Sequence, residues 1–390
     1  MMPHRTFAVV VLWGMLLLAR AAQAEPYLAV REGYNCSGCH TNVTGGGKRS
    51  DIPTIHAHDI LHYPNWFGKF SNPTDPFTGE VNKYISLGGD LRVSNVATFQ
   101  DQGANGRVNN NTAFRGRLQT DTLDVNEAET YLELRLIPEM LTFYLDQEFA
   151  PSTDTREVFG LLRGLPFNGF VKAGRMFLPY GLQLLDDTAF IRGGRNGSST
   201  TNFSFNTRQA AFEVGVEPGP YSAIFAVSNG ASGDRDVWVS GTVSAMWTEV
   251  PVVRNVFLGG SAAHMGGSVD NVEFCFFGGS NLGPLTGLGE VDFLETNTAT
   301  AGQQGTFIGY GELDYLLMRW LNLKSTVSYS DDDGDLTSRA NDSENVVTVG
   351  LEPFLNRFVQ TRLTYSVSNG VESKPNHNQD LWIAELHLFF

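Results

Sequence analysis

The 390-residue chain carries 27 Lys and Arg against 42 Asp and Glu, a formal net charge of −15. That acidity excludes a nucleic-acid-binding protein and a polybasic membrane-surface protein. Its 42 Gly, 27 Phe and 12 Tyr are many for a helical protein, and three cysteines leave no disulfide framework.

Residues 1–24 read as a secretory signal. Arg5 supplies a short positive region, Phe7 to Leu18 an apolar stretch too short to span a bilayer, and Ala22-Gln23-Ala24 a small-x-small cleavage site. The mature chain is expected to begin at Glu25. No later run of 18 apolar residues exists, so no helical span is expected.

Residues 25–84 form a first region rich in Gly, Pro, His and Asn, with little strand alternation. It contains Cys36-Ser37-Gly38-Cys39-His40. Cys-x-x-Cys-His is the attachment pattern for c-type haem. Two thiols in one turn can each form a thioether to a haem vinyl group, and the adjacent His40 is placed to bind the iron from below. Export agrees with this, because bacteria attach haem to thiols outside the cytoplasm. A local disulfide, or a zinc site completed by His56 or His58, would draw on the same residues.

One covalent haem c is therefore expected on Cys36 and Cys39, with His40 as proximal ligand. The distal ligand is expected to be one of His56, His58 and His62. His58 and His62 are four apart and would share a face on a helical turn. Met140, Met176 and Met265 lie farther off, and an open sixth position is the remaining alternative. Two histidines would give a low-potential carrier, whereas methionine would raise the potential. Gly45-Gly46-Gly47-Lys48 is not a phosphate loop, because the preceding glycine spacing is absent. Glycines here permit close backbone approach. Pro53, Pro64, Pro73 and Pro76 break any long helix.

From Ile85 to Phe390 the texture changes to segments of roughly ten residues with alternating polarity. In the last, Trp382, Ala384, Leu386, Leu388 and Phe390 share one face, and Ile383, Glu385, His387 and Phe389 the other. Leu313, Tyr315 and Leu317 likewise oppose Glu312 and Asp314. Sixteen candidate strands begin near residues 85, 112–127, 140, 156, 169, 206, 221, 236, 254, 271, 285, 305, 320, 344, 357 and 379. Short turns such as Pro138-Glu139 and Gly283-Pro284 alternate with long polar connections. The expected fold is all-β: a transmembrane antiparallel β-barrel of about 16 strands, preceded by a short loop-rich haem c segment. An even count puts both termini on the periplasmic side. A soluble β-sandwich is the competing architecture.

Three further stretches draw attention. The connection from Phe177 to Phe205 either folds into the lumen, with Arg175, Arg192 and Arg195 facing Asp186 and Asp187, or lies solvated outside. Asp331-Asp332-Asp333-Gly334-Asp335 lacks the terminal Glu of a calcium loop and reads as a solvated acidic turn. Cys275 reads as a small strand residue.

The run Tyr34-Asn35-Cys36-Ser37-Gly38-Cys39-His40-Thr41-Asn42-Val43-Thr44-Gly45-Gly46-Gly47-Lys48-Arg49 resembles the head of a bacterial family. In that family a haem-c motif, a His-x-Asn-x-Thr-Gly-Gly-Gly-x-Arg continuation and an outer-membrane barrel share one chain. More broadly, the chain is similar to porin–cytochrome conduits, in which a barrel sheathes a multihaem cytochrome. It departs from them in carrying its haem motif in the barrel chain itself, and its barrel is too narrow for a large multihaem partner.

The expected function is electron transfer at the bacterial outer membrane, between periplasmic or multihaem c-type cytochromes and an outer-membrane or extracellular partner. The haem segment is expected at the periplasmic mouth, with no bond-making chemistry. The competing reading is a diffusion porin whose haem segment is a plug, sensor or structural staple. A haem enzyme with an open sixth site is a third.

Overall fold

The computed structural model describes residues 26–49, 79–100, 118–184, 189–193, 201–204, 207–230, 236–267, 269–298, 302–333, 343–356, 358–370 and 378–389. His56, His58, His62, Arg195, Asp186, Asp187 and Phe390, together with the expected signal, lie outside the described residues.

Two short helices come first, α1 (Pro26–Glu32) and α2 (Cys36–Cys39). Seventeen strands follow among the described residues: β1 (Glu80–Asn82), β2 (Ile85–Phe99), β3 (Leu118–Ile137), β4 (Leu141–Ala150), β5 (Asp154–Leu165), β6 (Gly169–Phe177), β7 (Arg208–Val216), β8 (Tyr221–Ser228) and β9 (Trp238–Thr248). The rest are β10 (Asn255–Met265), β11 (Val269–Leu282), β12 (Leu285–Thr298), β13 (Gly302–Met318), β14 (Leu321–Asp331), β15 (Ser343–Asn356), β16 (Val359–Asn369) and β17 (Gln379–Phe389). Each of β2 to β16 pairs antiparallel with its successor, and β17 pairs back onto β2, from Asp380↔Phe99 to Phe389↔Asp90. These sixteen strands form a closed barrel, which bears out the expected fold class. Closure leaves no open edge, the condition for a sheet to cross lipid.

The strand starts agree closely with the sequence reading, and the second strand begins at Leu118. The strand the sequence reading lacks is β1. It covers the free end of β2 where β17 has stopped, pairing Glu80 with Ser86 and Asn82 with Ile85. Two residues separate it from β2, and Asn82 Oδ1 accepts from the Tyr84 and Ile85 amides at 2.8 and 3.1 Å to hold the turn.

The alternation sorts as a lipid-out pattern requires. Leu313, Tyr315, Leu317, Val327, Leu363 and Trp382 are exposed outward, whereas Glu312, Asp314, Asn322, Gln360 and His387 are buried inward. Aromatic rings gather near both rims. Phe274, Phe293, Phe307 and Tyr329 form a continuous row across β11 to β14, with centroids 5.4–6.3 Å apart. Tyr221 and Trp247 meet edge-on at 6.3 Å near the opposite rim. Two such girdles mark the depth at which an apolar wall gives way to water. Connections such as Glu139, Phe167-Asn168 and Gly283 turn tightly with positive φ at one rim, and the longer ones lie at the other.

Candidate functional site

The lumen is filled by two inserts that meet each other. The first is the segment from Pro26 to Arg49. Helix α1 packs inside the wall against β10, β11 and β12, burying Tyr27 and Val30 in a cluster with Met246, Phe277 and Leu288. Gly33 ends it with φ +76°, and the Gly33 and Tyr34 amides donate back to Ala29 O at 2.8 and 2.9 Å. Only glycine suits this position, because an added Cβ would fall 2.6 Å from Thr248 Cγ2. Asn255 Nδ2 donates to the last helical carbonyls, Val30 O at 2.9 Å and Arg31 O at 2.7 Å.

Helix α2 carries the Cys-x-x-Cys pair. Ser37 Oγ donates to Glu217 Oε2 at 2.7 Å. Burial raises the Glu217 carboxyl above its ordinary value, and Ser37 and Arg163 act against that rise. Beyond α2, His40 and Arg49 bridge antiparallel, and the Thr41 amide donates to Lys48 O at 2.9 Å. The loop between them reverses through Gly45, Gly46 and Gly47, all at positive φ. Gly47 lies directly under the Tyr144 ring, where an added Cβ would meet the phenol oxygen.

Four side chains of this loop grip the wall. Asn42 is fully buried: its Nδ2 donates to both Glu157 oxygens at 3.2 and 3.1 Å, and its Oδ1 accepts from Lys172 Nζ at 2.9 Å and Thr44 Oγ1 at 2.8 Å. Lys172 Nζ also donates to Thr44 Oγ1 at 2.7 Å and pairs with Glu213 at 2.9 Å. Thr41 Oγ1 donates to Glu133 at 3.3 Å, and Lys48 Nζ lies 3.6 Å from the same carboxylate. The Lys48 amide donates to Tyr144 Oη at 2.8 Å, and Arg163 donates to Thr41 O. The seat thus occupies the short-turn half of the lumen, deeper than the mouth position expected from the sequence. These polar side chains have their complementary charges on the inner wall, which explains the depth.

The second insert is the connection after β6. Its described residues, 178–184, 189–193 and 201–204, fold inward, as the first of the two sequence readings expects. Leu178, Tyr180, Leu182, Leu184, Phe190 and Ile191 are buried. Tyr180 stacks on Phe203 at 4.4 Å. The Gly181 amide donates to Ser261 Oγ at 2.9 Å, and the Leu182 amide to Glu290. Arg192 is buried and donates to Tyr180 O, Leu182 O and Ile191 O, with Glu290 3.4 Å away. Among the described residues its carboxylate partner is the wall residue Glu290; the expected Asp186 and Asp187 lie outside them. Arg175 pairs at the partly exposed rim with Asp154, at 2.9 Å.

Between the inserts lies a largely apolar cavity that is partly open to solvent. Cys39, His40, Val43 and Gly46 line one side, Pro179, Tyr180, Leu182 and Leu184 another, and Met246, Phe257, Phe277 and Leu288 the wall. The Cys39 side chain is buried on the cavity wall. His40 Nδ1 is buried without a hydrogen-bond partner. Burial pushes its imidazole down to about 4, and the Arg49 charge adds to the effect. A neutral imidazole beside a buried thiol on an apolar wall fits the donor set of a covalently held haem. The loop glycines, read from the sequence as allowing close approach, here bring the backbone against Tyr144. Met176 is buried apart from this cavity and Met140 is exposed at the short-turn rim. Met265 packs in the large lumen cluster without lining the cavity. The thioether on its wall is Met246, which the sequence reading did not single out.

A closed sixteen-stranded antiparallel barrel with an inward-folded connection is the architecture of outer-membrane porins. No protein-family profile and no curated protein sequence matches the chain. Solved structures do. OmpT with loop L8 deleted, an outer-membrane protein of Vibrio cholerae, is similar with a TM-score of 0.57 and 12% identity, over 78% of this chain and 99% of that one. An anion-selective porin from Comamonas acidovorans gives 0.55 and 13%, over 78% and 99%. OprB of Pseudomonas putida gives 0.54 and 8%, over 85% and 98%. At these identities the likeness establishes the fold.

Proposed function

We propose that this barrel resides in the bacterial outer membrane with its short turns facing the periplasm. It carries one haem c in the lumen and passes electrons between periplasmic or multihaem cytochromes and an outer-membrane or extracellular partner. The observation that carries the reading is the position of Cys39 and His40 on the wall of an apolar cavity inside the barrel. Cys36 and Cys39 would hold the group as thioethers, and His40 would ligate its iron. Bound there, haem supplies one-electron chemistry.

The chain's own residues set the conditions. His40 is neutral at pH 7 and available as a ligand. Leu182, Leu184, Phe257 and Leu288 give the cavity an apolar lining. Met246 on that wall would offer the iron a thioether, and His56, His58 and His62 are the histidine alternatives. A seat within the wall shortens the path a partner carrier must cover across a hydrocarbon layer of about 25 Å.

The test begins with haem staining of the denatured protein. Covalent haem is expected, lost in the Cys36→Ala, Cys39→Ala double variant. Liposomes enclosing an electron acceptor then separate the functions. Reduction of the enclosed acceptor by external reduced cytochrome supports transfer. Solute flux without that reduction refutes it in favour of a diffusion porin. In the Met246→Leu variant a change in the low-spin spectrum is expected, and an unchanged spectrum assigns the distal position to a histidine.

A further inference from the structure

One arc of the short-turn rim is unlike the rest. Among the described residues, five non-glycine positions have a left-handed backbone: Glu139, Phe167, Asn168, Glu249 and Val252. All five lie in the β3–β4, β5–β6 and β9–β10 turns, on the part of the wall that seats the N-terminal segment. Tight hairpin turns ask for positive φ, and Gly, Asn or Asp meet it at least cost. Gly283 does so in the β11–β12 turn, at +58°. Phe167 at +62° and Val252 at +77° meet it at higher cost, and a β-branched residue there is a true outlier. Strain of this kind collects at functional surfaces.

What these turns hold up is apolar. Phe167 is 74% exposed and Val252 91%, and Met140 is exposed on the β3–β4 turn. Phe167 and Val252 sit on turns outside the strands, past the Tyr221–Trp247 ring pair of that rim, so lipid does not cover them. Apolar groups held in water mark an interaction surface. The arc is also joined to the Cys-x-x-Cys pair. The Glu217 amide donates to Phe167 O at 3.0 Å, and Asn168 Nδ2 to Glu217 O at 3.2 Å. Glu217 Oε2 in turn accepts from Ser37 Oγ at 2.7 Å. Glu217 therefore holds both the β5–β6 turn and the middle of the motif.

Charge narrows what docks there. Glu139, Glu217 and Glu249 stand among the apolar tips, against Arg254 as the exposed cation of these turns among the described residues. Neighbouring strands stand ~4.8 Å apart, so the arc from the β3–β4 turn to the β9–β10 turn runs roughly 30 Å. That length suits the small interface of a transient electron-transfer encounter. We propose that this arc is the docking surface for a small soluble electron-carrier protein of the periplasm, whose apolar contact face is rimmed by Lys and Arg. The partner's redox role rests on the electron-transfer reading above; the contact itself rests on the turns. Phe167 and Val252 supply the close contact, and the carboxylates steer the approach, a division that gives fast association and ready release.

The experiment uses the full-length protein in detergent. The probes are a small basic c-type cytochrome and an acidic one of similar size, and binding is followed by surface plasmon resonance at low and at physiological salt. The basic probe is expected to bind, more weakly as salt rises, and the acidic probe is not. Phe167→Ser with Val252→Ser should weaken binding of the basic probe at least about tenfold, because an aromatic side chain then stays unburied. Glu139→Gln with Glu249→Gln should slow association and flatten its salt dependence, with little effect on dissociation. Heat-modifiable gel mobility verifies that each variant is folded. Failure of the native protein to bind the basic probe overturns the proposal, and that arm needs no variant. Equal affinity of the Phe167, Val252 variant and the native protein also overturns it, as does tighter binding of the acidic probe. So does a variant changed only in self-association by analytical ultracentrifugation, which makes the arc a contact between copies of this chain. Binding is read without electron transfer, so a negative haem stain overturns the electron-transfer reading while these arms still decide the docking surface.

Discussion

Replacing Asn42 by Leu should release the N-terminal segment from the wall while leaving the barrel intact. Leu keeps nearly the same volume, so the cost is polar. Asn42 makes two charge-assisted contacts, from Nδ2 to Glu157 and from Lys172 to Oδ1, in a site with no water access. Hydrogen bonds to charged groups are worth ~1.5–3 kcal/mol each. Losing both therefore costs about 3–6 kcal/mol, and the lower figure corresponds to a roughly 150-fold larger population of the undocked segment. The barrel ladders are untouched, because Glu157 and Lys172 retain their backbone pairings within β5 and β6. Hydrogen–deuterium exchange of the peptide spanning residues 40–49 is the direct assay. The Thr41 and Lys48 amides, bonded at 2.9 and 2.8 Å, should exchange on the order of 100-fold faster. Peptides from β11 to β14 should not change. Unaltered exchange at Thr41 and Lys48 would refute the docking argument, and faster exchange throughout the barrel would refute its locality.

Two further outcomes follow from the same geometry. Gly47→Ala should loosen the seat by at least ~1–2 kcal/mol, the cost of a left-handed non-glycine residue, before its contact with Tyr144 is counted; equal protease resistance of the N-terminal segment in variant and native protein would contradict this. Arg192→Met should free the loop by leaving Glu290 without its cation, and single-channel conductance in planar bilayers should rise; an unchanged conductance means the seat alone blocks the lumen.

The wall was legible in the sequence because its signal is local. A strand facing lipid and water repeats every two residues, so Trp382 against His387, or Leu313 against Glu312, reveals its face without knowledge of the rest. The inserts were not legible, because their partners are remote. Asn42 meets Glu157 at a separation of 115 residues and Lys172 at 130. Glu133, Glu157, Lys172 and Glu213 looked like ordinary lumen-facing members of their strands. Arg192 was legible as a loop charge, yet its partner Glu290 belongs to β12, 98 residues on. Met246 gave no signal, since a methionine at an inward strand position is commonplace. The Thr-Gly-Gly-Gly run shows both sides. Its glycines announced a tight reversal, but only the fold reveals that Tyr144 stands over it.

The enclosure of the cavity also bears on how the protein is made. Residues 26–49 precede every barrel strand, yet they end up ringed by β3 to β7 on one side and β9 to β12 on the other. The last strand, β17, completes the wall by pairing with β2. Were a haem carried there, it would have to be joined to Cys39 before that wall surrounds the thiol. On the proposed function, maturation is therefore a sequence of export, ligation and closure. A barrel that closes early would trap an empty seat beyond repair.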